Sequence, residues 1–202
     1  MWQPAFSIDD IKYGQKEDLF KHDMVTVSAY PYRAPGFDGQ MIDFKQHIMI
    51  ERRDVVIMFL HDPKRKRVVL IEQLRPAVAF CLEGKSPWIL ECPAGVIDQG
   101  ESKEDCVRRE VYEETGCEAL SVELIASYCS PGLMCAKMHA FYVEVDIESL
   151  QQITGCRQEG ESIKTHHFSY DQLMDLYARG DIVNAHSLML LFWFQANKMI
   201  CF

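Results

Sequence analysis

The chain has 202 residues, 48 % of them hydrophobic and 25 % charged, with a formal net charge of −9. That is enough for one ordinary core, or for one core and a small appendage. The acidic balance argues against a nucleic acid or an anionic membrane held by bulk charge, but not against a nucleotide, because a bound metal reverses the local sign.

Met1 to Glu17 is weakly patterned and reads as an irregular arm or a first strand. Met24 to Tyr32 alternates and is rich in β-formers, which predicts a strand. Ala34-Pro35-Gly36 and Phe37-Asp38-Gly39 carry turn chemistry, and Gln40 to Ile50 returns as a second strand. Residues 1–50 therefore form a hairpin-like β unit too small to hold a core alone. It must pack on the rest of the chain, residues 51–202, or on a second copy, which makes it a candidate dimerisation element.

Asp54 to Leu60 is a continuous apolar run, as for a strand buried on both faces. Lys64 to Arg67 reads as a solvated hairpin tip, and Val68 to Leu74 as the partner strand. Phe80 to Ser86 reads as a loop and Trp88 to Cys92 as a short strand. Further strands are predicted over Ser121–Cys129 and Met138–Val145, with Ser130-Pro131-Gly132 as the turn between them, and over Ile163–Phe168. Thr154 to Ser162 is a polar loop. His166 and His167 are adjacent on a strand, so they face opposite sides and are read as structural. Helices are predicted over Tyr170–Ala178 and Ser187–Met199, the latter apolar enough to be largely buried.

The eight cysteines contain no CxxC pair and no zinc-like spacing with histidine. With no leader-like pattern at the N-terminus and no membrane span, free thiols in a reducing cytoplasm are the simplest reading; a disulfide scaffold is the rival.

Gly95 to Cys117, GVIDQGESKEDCVRREVYEETGC, is the stretch that carries chemistry. Ser102 is an N-cap candidate with Asp105 three residues on, nothing breaks a helix up to Glu114, and Gly116 is a stop signal. Glu110, Glu113 and Glu114 then share one helix face, where three like charges repel. A solvated face is the plain explanation. A hard divalent cation is the alternative, because Mg²⁺ takes oxygen ligands and often only a few from protein.

The spacing of Gly95, Glu101, Arg109-Glu110, Val111, Glu113-Glu114 and Gly116 matches, position for position, the signature of the Nudix hydrolases; only the closing hydrophobic is altered, to Cys117. The chain resembles in particular the branch of bacterial ADP-ribose and nucleoside-diphosphate-sugar pyrophosphatases, through VVLIEQLRPAV, PWILECPAGVIDQGES, SPG and GDIVNAHSLMLLFWFQ. The resemblance implies an α/β fold, a Nudix α/β/α sandwich with a mixed sheet, plus the small N-terminal β unit exchanged across a homodimer. It also implies hydrolysis of the pyrophosphate linkage of a small nucleotide sugar, with Mg²⁺ as cofactor and Mn²⁺ as the alternative.

Residue by residue, the resemblance makes Glu110, Glu114 and the Ala94 carbonyl metal ligands. Glu113 is either a ligand or a neighbour of the ligands. Arg109 orients these carboxylates, Glu101 pins the loop or joins the metal network, and Gly95 lets the loop turn tightly. On the late loop Glu159 matches the general base and Glu161 a further ligand, or the two exchange roles. Arg75 is either a phosphate clamp or a strand-end surface arginine; Glu91, Pro131 and Gly132 belong with the substrate. Two departures bear on the substrate: Ala136 stands where related ADP-ribose pyrophosphatases place a ribose-contacting glutamate, and Gln46 and His47 stand where they carry arginines. ADP-ribose, cleaved to AMP and ribose 5-phosphate, is the first expectation. ADP-glucose, UDP-glucose or GDP-mannose is the next, and a non-catalytic nucleotide-sensing module the alternative of another class.

Overall fold

The computed structural model describes residues 2–130, 132–157 and 160–199. In chain order the first strands are β1 (Lys12–Tyr13), β2 (Glu17–His22), β3 (Val25–Pro35), β4 (Met41–Glu51), β5 (Val55–Asp62) and β6 (Arg67–Leu74). Then come α1 (Pro76–Cys81), β7 (Trp88–Glu91), β8 (Ala94–Val96), α2 (Lys103–Thr115), β9 (Ser121–Cys129), β10 (Met134–Cys135) and β11 (Lys137–Glu144). The chain closes with β12 (Ile153–Thr154), β13 (Ile163–Phe168), α3 (Tyr170–Ala178) and α4 (Ala185–Asn197).

Two compact units result. The first takes Met1–Asp54 and Cys129–Lys137, the second Val55–Tyr128 and Met138–Phe202. The first therefore runs past residue 50 and takes in the segment around Gly132. In it, β3 and β4 form a long antiparallel hairpin whose register holds from Thr26↔Glu51 to Pro35↔Met41. β1 and β2 lie against β3, and β10 runs parallel to β4. All six residues of β2 are exposed. With no face buried, no alternation is required of its sequence, so nothing there announces a strand.

The second unit holds a sheet in the order β12-β13-β6-β5-β11-β9, with β7 also paired to β6 and β8 to β5. β11 runs parallel to β5, and the other recorded pairings are antiparallel, so the sheet is mixed. All eight residues of β5 are buried, as its apolar run requires. One sheet face, with Val56, Met58, Leu60, Val69, Phe141 and Val143, packs on Cys106, Val107 and Val111 of α2. Phe59 and His61 point the other way, to Phe194 of α4 and Tyr170 of α3. This is the α/β/α sandwich.

β5 and β6 pair only near their hairpin, from Leu60↔Val69 to Asp62↔Arg67. Beyond that they diverge, and β8 lies on β5 while β7 lies on β6. The link between β7 and β8 thus bridges the opening, held there by the Met58 amide donating to the Pro93 carbonyl at 2.9 Å. This places Glu91 to Gly95 at the mouth of the split.

Three local readings change. Residues 76–81 form α1, opened by a proline at its first turn, where the missing N–H is no loss. The basic tip is not simply solvated: Arg65 pairs with Asp62, Asp146 and Glu148. α4 buries one stripe, Ser187, Leu190, Leu191 and Phe194, and leaves Phe192 exposed, edge-on to Tyr177.

Candidate active site

α2 begins as its sequence requires. Ser102 Oγ accepts the Asp105 amide at 3.1 Å, and Gly116 ends the helix at φ 74°. Between the caps, Arg109 is tied to three carboxylates. Its Nε and Nη2 meet both oxygens of Glu101 at 2.8 and 3.0 Å. Its Nη1 reaches Glu110 at 2.8 Å and Glu113 at 2.9 Å. Glu101 also accepts the Asp98 amide at 2.9 Å, so the loop before α2 is clasped to the helix. The Arg109 hydrogen bonds pull the Glu101 carboxyl down to about 2.

Glu110 and Glu114 are in the opposite position. Burial pushes Glu110 up to about 7 despite Arg109, with the charges of Glu113 and Glu161 adding to the rise. Burial pushes Glu114, 2 % exposed, well above the ordinary carboxylate range, and Glu110 and Glu161 push it further. Its Oε2 accepts the Ala94 amide at 3.0 Å. Gly95 is what lets the loop come this close: a Cβ there would stand 2.0 Å from the Glu110 carboxyl carbon. Glu161 arrives on the β12–β13 loop, which is anchored over α2 by Thr154 Oγ1 donating to the Glu114 carbonyl at 2.6 Å.

Ala94, Arg109, Glu110, Glu113, Glu114 and Glu161 are thus neighbours in one patch. Arg75 and Glu91 form a second cluster, with Arg75 Nε on Glu91 Oε1 at 2.7 Å. Gly132 belongs to the first unit. Glu159 and Pro131 lie outside the described residues.

Asn184 is a member that the sequence reading passed over, because it began the last helix at Ser187. It caps α4, its Oδ1 accepting the His186 and Ser187 amides, while its Nδ2 donates to Glu91 Oε2 at 2.6 Å. An Asn placed just before an apolar periodic run was the available signal.

The donor set suits a hard divalent cation: carboxylate oxygens, those of Glu110 and Glu114 withdrawn from solvent and mutually repelling, with Arg109 as the counter-charge. Among the described residues no three acidic, His or Cys side chains are gathered closely enough to hold a metal ion between them. Glu110 leans to Arg109 and Glu114 to the Ala94 amide, so the fit is one of donor chemistry.

The family model of the NUDIX domain matches residues 51–191. An ADP-ribose pyrophosphatase of Escherichia coli strain K12 is 34 % identical over 194 residues, covering 96 % of this chain and 91 % of that protein. A GDP-mannose pyrophosphatase of Escherichia coli strain SMS-3-5 is 29 % identical over 187 residues, covering 92 % and 95 %. The crystal structure of an ADP compounds hydrolase superposes with a TM-score of 0.69 at 19 % identity, over 96 % of this chain and 99 % of that one, a likeness of fold. The signature runs from β8 through α2 in its expected order, the family model spans most of the chain, and the first of these relatives matches nearly end to end: the chain belongs to the Nudix family of hydrolases.

Proposed function

We propose that the chain hydrolyses the pyrophosphate linkage of a nucleoside diphosphate sugar, with ADP-ribose as first substrate, giving AMP and ribose 5-phosphate. The observation that carries this is the carboxylate face of α2 held against the Ala94–Gly95 loop, in a chain so similar along its length to an ADP-ribose pyrophosphatase.

Mg²⁺, with Mn²⁺ as the alternative, is the cofactor of this reading. Bound, it supplies charge neutralisation at the diphosphate and an acidified water. Glu110, Glu113, Glu114, Glu161 and the Ala94 carbonyl would hold it. Arg109 keeps Glu110 and Glu113 in place through its hydrogen bonds. Arg75, whose Nε alone is engaged among the described residues, offers its remaining N–H groups to a phosphate oxygen. Glu91 sets the plane of that guanidinium. Glu159 takes the proton of the attacking water, or Glu161 does so with the roles exchanged. The water oxygen bonds to phosphorus, and the bridging P–O bond breaks toward the leaving phosphate.

The curated GDP-mannose pyrophosphatase and the residue Ala136 together support a second substrate, a hexose nucleotide, processed at the same centre. The reading includes a homodimer. Its support is the exposed apolar surface of the first unit, where Trp2, Ile8, Leu19, Phe20 and Phe37 are each half or more exposed. It includes a reducing cytoplasm, supported by the unpaired cysteines 81, 92, 106, 117, 129, 135 and 156. Among the described residues no helix is long and apolar enough to cross a membrane.

The test is a panel of ADP-ribose, ADP-glucose, UDP-glucose, GDP-mannose, NADH and 8-oxo-dGTP with Mg²⁺, and Glu114→Gln as control. AMP and ribose 5-phosphate from ADP-ribose, lost in the variant, support the proposal. Turnover of a hexose nucleotide alone moves the substrate. Tight binding without turnover of anything overturns it in favour of a sensor.

A further inference from the structure

A chain of hydrogen bonds leads out of the Arg75–Glu91 cluster. Arg75 Nε meets Glu91 Oε1 at 2.7 Å, and Asn184 Nδ2 meets Glu91 Oε2 at 2.6 Å. The His186 amide meets Asn184 Oδ1 at 2.9 Å, and the His186 ring Nδ1 meets the Tyr128 hydroxyl at 2.9 Å. The next residue is fixed as well, with Ser187 Oγ accepting the Cys92 amide at 2.9 Å. His186 is thus held within a residue or two of the segment that follows Glu91. Glu91 is close enough to act electrostatically on both Glu114 and His186.

The ring has one engaged side and one open side. Among the described residues Nε2 has no hydrogen-bond partner, while no buried side-chain nitrogen or oxygen is left unsatisfied. Nε2 is therefore not sealed from solvent. The Tyr128 hydroxyl can donate to Nδ1, and the neutral ring then carries its own proton on Nε2. Burial keeps the ring below the ordinary histidine value against the pull of Glu91.

We infer that His186 is a specificity-determining residue, whose Nε2–H donates to an oxygen of the bound nucleoside diphosphate sugar, and that Tyr128 is its positioning residue. This rests on the proposed hydrolysis. A single neutral donor adds binding that substrate and transition state share, so its loss raises KM more than it lowers kcat.

The test is steady-state kinetics with ADP-ribose and with GDP-mannose, beside equilibrium binding of ADP-ribose in EDTA. His186→Ala should raise KM for the better substrate about 10-fold with kcat within about twofold, and weaken binding in EDTA in parallel. His186→Gln, which can place an amide N–H near the Nε2 position, should recover most of that loss. Tyr128→Phe should fall between. Unchanged KM and binding in His186→Ala overturn the inference, as does a loss of kcat that Gln does not recover. If alanine prevents folding, Tyr128→Phe decides: unchanged KM and binding there overturn it. If the unaltered chain cleaves neither nucleotide, the parent function fails. Binding in EDTA then decides alone, weakened by His186→Ala if the inference holds, and unaffected or absent from the start if it does not.

Discussion

Glu114 is the most deeply buried carboxylate of the α2 cluster, yet its recorded side-chain donor is an alanine amide. Glutamine preserves that acceptor and removes the charge. Glu114→Gln should therefore fold, and should lower kcat at least about 100-fold, since even partners of metal ligands cost 10–100-fold. If Mg²⁺ raises the melting temperature of the unaltered chain over that in EDTA, as the proposed function expects, the variant should lose that rise. His61 illustrates a different constraint. It is 1 % exposed, and its two ring nitrogens meet the Tyr142 and Tyr170 hydroxyls, both at 2.7 Å. Burial lowers it from 6.5 to about 4, with Asp62 pulling up and Lys198 pushing down. The unfolded chain takes up a proton near 6.5, whereas the folded one does so only near 4. The stability this ring contributes is whole above pH 6.5 and is lost as pH falls through that window, by up to about 3 kcal/mol. Urea midpoints measured between pH 7.5 and 4 should drop, and His61→Gln should flatten the part of the drop due to this ring.

At the scale of elements, the site depends on one loop and two helix starts. Gly95→Ala places a methyl group on the Glu110 carboxylate, so the loop or the carboxylate must shift. Activity should fall by about 100-fold, with a lower melting temperature, because a displacement of about 1 Å at reacting groups is enough for that. Asn184→Ala removes the cap of α4 and the second donor to Glu91 together, and should cost about 1 kcal/mol or more in urea denaturation while raising KM. α2 was legible to within a residue because capping, spacing and the glycine stop all agree. The start of α4 was not, because His186 and Ser187 separate the Asn184 cap from the apolar run that opens at Leu188, so the cap signal was overlooked. α1 was missed because six residues opened by Pro76 carry too little period to separate a helical turn from a loop. The partners of Arg75 and Arg109 were legible only in part. Glu110 and Glu113 lie within reach of Arg109 along the helix, whereas Arg75, just past β6, reaches back to Glu91, which the pairing of β6 with β7 sets against Ile71.

For the whole molecule, the weak apolar pattern of the first fifty residues and the strong one after them were legible. The return of Cys129–Lys137 to the first unit was not, since parallel pairing between Met134 and Ile50 leaves no local mark. The exposed apolar side chains of the first unit give a further expectation: light scattering should find twice the chain mass. Leu19→Glu with Phe20→Glu, both at exposed positions, should shift that toward one chain while leaving the second unit's melting transition in place. The parallel pairing of β5 with β11 has a consequence for synthesis. Val55 meets Met138 and His61 meets Glu144, so the most apolar strand waits more than eighty residues for its neighbour. A growing chain holds that strand without its lasting cover until residues 138–144 have been made. Such distant contacts slow folding, and they expose an adhesive segment meanwhile. Yield on overexpression should therefore respond to growth temperature and to holding chaperones more than the stability of the finished molecule would suggest.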